Sequence, residues 1–102
     1  MTTFHPAVAA DDLSDGEVAR VLIGDRKIGV YTLGGSFYAI DDTCTHMKAR
    51  LSNGYIEDGF ILCPVHFGKF DIKTGKASSA PCTIDLVAYP VKVEEGRVLI
   101  GL

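Results

Sequence analysis

The sequence predicts an all-β domain, a small antiparallel sandwich or partly open barrel, and three observations predict it. Short runs rich in β-branched and aromatic residues recur along the chain, glycine-containing breaks separate them, and no segment sustains helical spacing. The first run lies near the N-terminus, where His5 precedes Pro6 in a segment that reads as a strand with the histidine at the surface. "VARVLIG" (18–24), "KIGVYTL" (27–33) and "SFYAID" (36–41) follow as three strands. The breaks between them contain Gly24, Gly34 and Gly35, and glycine tolerates the positive φ that tight hairpins require. Further on, "GFILCPVHFGKFDIKTGK" (59–76) holds two short apolar runs split by Cys63-Pro64 and ended by Thr74-Gly75. "KASSAPC" (76–82) has no strand pattern and reads as a loop. The chain closes on "YPVKVEEGRVLIGL", where Val91 and Val93 face Val98 and Ile100 across Glu95-Gly96, the pattern of a hairpin with one buried face.

At 102 residues the chain is expected to form one domain, 1–102, near the lower size that supports its own core. A hydrophobic fraction of 47% against 23% charged residues suits a globular chain rather than a disordered one. The net charge is −3 and no lysine or arginine run occurs, so nucleic acid is not an expected partner. The N-terminus lacks a basic start followed by an apolar stretch, and no window is long enough to span a bilayer. A cytoplasmic protein without a membrane association is expected. Three cysteines, an odd number, argue for metal or redox chemistry rather than a disulfide framework.

Two of the three cysteines and two of the three histidines form matching pairs, Cys44 with His46 and Cys63 with His66. Side chains so close in sequence converge only where the backbone turns, and Asp41-Asp42-Thr43 and Pro64 supply turn chemistry. Either pair alone reads as a small buried cysteine beside an unrelated histidine. Two pairs on strands able to lie side by side point to a metal site. Structural zinc accepts two cysteines and two histidines, but its modules group like ligands, whereas here each arm carries one of each. A [2Fe–2S] cluster with two cysteines on one iron and two histidines on the other, as in Rieske centres, suits mixed arms.

The motif C-x-H, sixteen residues, C-x-x-H resembles that of Rieske-type ferredoxins of bacterial aromatic-ring-hydroxylating dioxygenase systems, with the biphenyl and toluene type as the favoured subgroup. The first loop matches at Cys44, Thr45, His46, Ala49, Leu51, Ser52 and Gly54. The second matches at Cys63, Pro64, His66, Phe70, Asp71, Thr74 and Gly75. The resemblance implies a Rieske-type fold with a cluster-binding subdomain at about 43–82, and one [2Fe–2S] cluster with Cys44 and Cys63 on one iron and His46 and His66 on the other. It implies that Ala80-Pro81-Cys82 covers the cluster. Many relatives have glycine where this chain has Phe67, and neither loop carries the extra cysteine of respiratory relatives. The implied partners are a flavin-dependent ferredoxin reductase and a terminal Rieske oxygenase.

The machinery of an enzyme is absent. A two-histidine, one-carboxylate iron triad would leave only His5, and no G-x-G-x-x-G dinucleotide fingerprint occurs. A one-electron carrier is the expected role, ahead of a small Rieske-like subunit of an assimilatory nitrite reductase and a structural zinc module. Cys82 is expected to pack near the cluster rather than bind it. Met47, Phe67 and Pro81 read equally as a shield or as an apolar docking rim. Asp41-Asp42 and Glu57 to Gly59 read as solvated turns able to steer a partner.

Overall fold

A computed structural model describes residues 2–45, 48–65, 67–79 and 84–102. Its strands are β1 (Phe4–Ala9), β2 (Val18–Ile23), β3 (Arg26–Leu33), β4 (Ser36–Asp41), β5 (Tyr55–Glu57), β6 (Phe60–Leu62), β7 (Lys69–Asp71), β8 (Ala77–Ser79), β9 (Ala88–Tyr89), β10 (Val91–Glu94) and β11 (Arg97–Gly101). Two single 3-10 turns, Ala10–Asp12 and Leu51–Asn53, are the helical segments among the described residues. All strand pairings are antiparallel and build three sheets, ordered β1-β11-β10, β2-β3-β4-β9 and β5-β6-β7-β8.

The middle sheet carries the architecture because β3 is buried on both faces. Successive side chains of a strand point to opposite faces, and here each face meets a different core. Ile28 and Val30 of β3 and Ala39 of β4 pack with Leu13, Tyr89, Val98 and Ile100 against the terminal sheet. Tyr31 and Ile40, one residue out of phase, pack with Cys44, Leu51, Ile61, Cys63, Phe70, Ile72 and Leu86. The β5–β8 sheet therefore docks on the opposite face of the middle sheet from the terminal hairpin. Both cysteines of the matched pairs belong to this second core.

The predicted meander holds, with Val18–Ile23, Arg26–Leu33 and Ser36–Asp41 in direct antiparallel succession. The closing hairpin also forms, with Val91 opposite Ile100 and Val93 opposite Val98. Glu95 and Gly96 both adopt positive φ, 51° and 75°, as a two-residue turn with the right twist demands. Its burial differs from expectation: Val98 and Ile100 are fully buried while Val93 is 49% exposed, because β10 is an edge strand. The loop expected at 76–82 is corrected in part. Ala77–Ser79 forms β8, since β7 offers it an open edge, with Phe70 opposite Ala77 and Lys69 opposite Ser79. His5 lies in β1 opposite Ile100 and is half-buried rather than a surface residue.

Candidate metal centre

Two hairpin tips of equal length present the cysteines. Thr43 bridges Arg50 in the first, and Leu62 pairs with Lys69 in the second, so each pair encloses six residues, 44–49 and 63–68. Cysteine opens both tips. The Cys44 amide donates to the Ala49 carbonyl at 3.0 Å and the Cys63 amide to the Gly68 carbonyl at 2.9 Å, so the two loops close in the same way. Both cysteines are buried and neither is in a disulfide. Their side chains meet, and a hydrogen bond between them contributes to the state of Cys63. Burial pushes the Cys63 thiol up; the Val65 backbone group bonded to it acts in the opposite direction, and the neighbouring Cys44 adds to the rise. A buried Cys63 thiol that is costly to ionise alone, with a second buried sulfur against it, is the donor set a cation stabilises, since a coordinating thiol loses its proton outright. These residues fit one side of a two-iron cluster.

His46 and His66 lie outside the described residues, as do Met47, Ala80, Pro81 and Cys82. Among the described residues no group of three or more His, Cys, Asp or Glu side chains gathers.

The first tip is held by a side chain that sequence reading misassigned. Asp42 is not part of a solvated turn: it is 1% exposed, and its carboxylate accepts from Arg20 Nε at 3.1 Å, from the Ser52 amide at 2.8 Å and from Ser52 Oγ at 2.8 Å. Its own carbonyl accepts the Leu51 amide at 2.8 Å. Asp42 thereby fastens both stems of the first loop to β2. Asp41 is likewise tied, receiving the Tyr89 hydroxyl, which in turn accepts from Arg26 at 3.1 Å. The available signal was Gly29 in mid-strand, a mark of close approach. A Cβ there would lie 3.2 Å from Asp42 Oδ1 and 2.9 Å from the Tyr31 ring. Gly29 faces Arg20 in the ladder, which leaves room for the guanidinium to reach the carboxylate.

A strap, residues 84–87, links the parts. The Ile84 carbonyl accepts the Thr45 hydroxyl at 2.6 Å, Asp85 accepts the Ala77 amide at 2.9 Å, the Leu86 amide donates to Gly75 at 2.7 Å, and the Val87 carbonyl accepts the Asp41 amide at 3.0 Å. Gly75, at φ 78°, is required where Leu86 crosses, because a Cβ there would meet the Leu86 carbonyl oxygen at 2.5 Å. At the second tip Phe67 is 57% exposed with φ 56°, and its ring lies 5.9 Å from that of Tyr55, which is 58% exposed. Glu57 and Asp58 are exposed at the opposite end of the β5–β6 hairpin, as expected for a solvated turn.

The family model described as "Rieske [2Fe-2S] domain" matches residues 3–90. The ferredoxin component of the naphthalene 1,2-dioxygenase system of Pseudomonas putida is 46% identical over 96 residues, 94% of this chain and 92% of that protein. The Sphingomonas yanoikuyae B1 ferredoxin superposes with a TM-score of 0.92 at 36% identity, covering 98% of this chain and 99% of the other. A chain from the complex of reduced oxygenase and oxidized ferredoxin in carbazole 1,9a-dioxygenase gives a TM-score of 0.90 at 41% identity, covering 95% of this chain and 91% of that one.

Proposed function

Since the chain belongs to the Rieske [2Fe-2S] domain family, with one Rieske-type cluster as cofactor, we propose that it is the ferredoxin component of an aromatic-ring-hydroxylating dioxygenase system. In this reading Cys44 and Cys63 hold one iron and His46 and His66 the other, within a unit spanning about 43–82 of a single domain. The cluster supplies a one-electron couple. The chain's own residues do the rest. The two six-residue tips bring the sulfurs together below the surface, the Val65 backbone group contacts the Cys63 sulfur, and the Asp42 network keeps the first tip in register. Hydrogen bonding to the sulfurs and burial are the levers that set where in a family's range the potential falls.

The observation that carries this reading is the meeting of Cys44 and Cys63 at the mouths of two identically closed tips. The relatives, ferredoxin components of dioxygenase systems, support a carrier rather than an enzyme. The electron donor is proposed to be a flavin-dependent reductase and the acceptor a terminal Rieske oxygenase, with the cytoplasm as the compartment. No helix among the described residues is long and apolar enough to cross a membrane. The relatives' role as ferredoxin components of dioxygenase systems favours this reading over a nitrite reductase subunit.

The purified protein is expected to be red-brown and, once reduced, to give a rhombic electron paramagnetic resonance signal of low average g. A colourless zinc-loaded protein would refute the assignment. With NADH, a flavin reductase and an aromatic-ring oxygenase it is expected to restore hydroxylation, and alone to show no turnover.

A further inference from the structure

The two outer strands of the terminal sheet are finished differently. β1 carries Pro6 in mid-strand and a register shift between Pro6 and Val8, two devices that blunt an edge against further pairing. β10 has neither within Val91–Glu94, and among the described residues no strand lies on its outer side. Its hydrogen-bonding phase is set by the Gly101 amide, which donates to the Pro90 carbonyl at 2.8 Å. Alternate residues of an antiparallel strand face opposite ways, so Lys92 and Glu94 bond β11 while Val91 and Val93 turn their amides and carbonyls outward. That edge has room for one more strand.

A groove of about 490 Å³ runs beside it, between β10 and the start of β4, lined by Gly35, Ser36, Phe37, Val91, Lys92 and Val93. Val93, 49% exposed and opposite Val98, points its side chain to this face of the sheet. Lys92 and Glu94 stand on the other face, both exposed and 3.1 Å apart, with the Lys92 ammonium 4.3 Å from the centre of the Phe4 ring. A charged edge resists an arbitrary strand and accepts one whose charges answer its own. The segment Lys92-Val93-Glu94 answers itself. Turned about a two-fold axis through Val93, a second copy sets its Glu94 opposite Lys92 and its Lys92 opposite Glu94, and the two Val93 residues exchange both backbone hydrogen bonds. An axis through Lys92 would instead stack two lysines, and one through Val91 would leave both charges facing Pro90 and Ala88.

We propose that the protein pairs with a second copy of itself through β10, joining two three-stranded sheets into one of six about an axis at Val93. A two-fold uses both edges, so growth stops at the dimer. The cysteine-bearing tips take no part, because the β5–β8 sheet lies across the middle sheet from the terminal one. An edge of four residues makes a small interface, and a dissociation constant of roughly 0.1 mM is expected.

Sedimentation equilibrium of the cluster-loaded protein, from about 10 µM to about 2 mM, is expected to pass from the mass of one chain towards that of two. Lys92→Glu places like charges opposite each other and is expected to weaken association about tenfold or more, whereas Lys92→Glu/Glu94→Lys restores the alternation and is expected to return it to within about threefold of the parent. Both positions are exposed, and circular dichroism is expected to show an unchanged fold. Hydrogen exchange at the Val93 amide is expected to slow as concentration rises. A parent that stays monomeric throughout overturns the proposal and leaves the edge to a strand of another protein. A dimer whose Val93 amide exchanges as fast as the monomer's overturns it too, as does a charge swap that associates no better than Lys92→Glu.

Discussion

The two hairpin tips are alike in length, closure and opening residue, yet they are stabilised by different means. The second tip, 63–68, stands on a regular ladder, with Phe60, Ile61 and Leu62 opposite Asp71, Phe70 and Lys69. Backbone hydrogen bonds and the turn residues Pro64 and Gly68 shape it, at the expense of a left-handed Phe67. The first tip, 44–49, has a single bridge at its base, and side chains do the fastening: Asp42 to Arg20 and Ser52, and Thr45 to the strap. One site is thus built by two solutions, a backbone one that tolerates substitution and a side-chain one in which a single atom matters.

Five substitutions test that contrast. The largest effect should ignore it. Cys44→Ala and Cys63→Ala are each expected to abolish the visible absorption of the cluster, since on the proposed assignment either removes a bond to iron; retention of the spectrum after Cys63→Ala would refute the assignment. The next should expose it. Asp42→Ala leaves Arg20 unpaired and strips Ser52 of its acceptor, and breaking such a buried pair is expected to cost about 3 kcal/mol in denaturant unfolding. Hydrogen exchange should then quicken at the Leu51 and Ser52 amides while the Cys63 amide keeps its protection, and equal loss at both tips would contradict the contrast.

A gain of stability is expected at the second tip. Phe67→Gly removes the left-handed strain and should raise unfolding free energy by about 1 kcal/mol in denaturant melts. The smallest effect concerns Tyr31, whose buried hydroxyl has no partner among the described residues. Burial first, and Asp42 second, push its ionisation above the ordinary tyrosine range. Its raised folded-state value means that the neutral hydroxyl contributes stability fully present below about pH 10, where the unfolded tyrosine ionises, and lost as pH rises beyond it. Tyr31→Phe is therefore expected to change stability by less than about 1 kcal/mol at pH 7 and to flatten the decline above pH 10 in urea melts followed by circular dichroism.

What was legible in the sequence follows the same division between backbone and side chain. The β2–β4 meander and the closing hairpin were visible because their cause is local, alternating apolar residues between glycine turns. The cysteine motif was visible because spacing along the chain is local too. Asp42 was misread because its partners, Arg20 and Ser52, lie 22 and 10 residues away, and a carboxylate before a turn is ordinarily solvated. Ala77–Ser79 was read as loop because three small residues have weak strand propensity of their own, and only the open edge of β7 makes them a strand. Val93 looks buried by alternation, but alternation does not say which strand is at an edge.

The pairing of β4 with β9, through Ala39 with Tyr89 and Ile40 with Ala88, has one more consequence. Everything between these strands leaves and rejoins the middle sheet at one doorway about 5 Å wide. Such an insertion makes few ties to its host, which takes from it chiefly cover for Tyr31 and Ile40 and the Asp42 carboxylate that pairs Arg20. During biogenesis the middle and terminal sheets are expected to form before iron arrives, with the inserted unit a late-maturing cassette. An iron-starved cell would then accumulate a half-finished molecule with that apolar face uncovered, a natural target for chaperones and proteases.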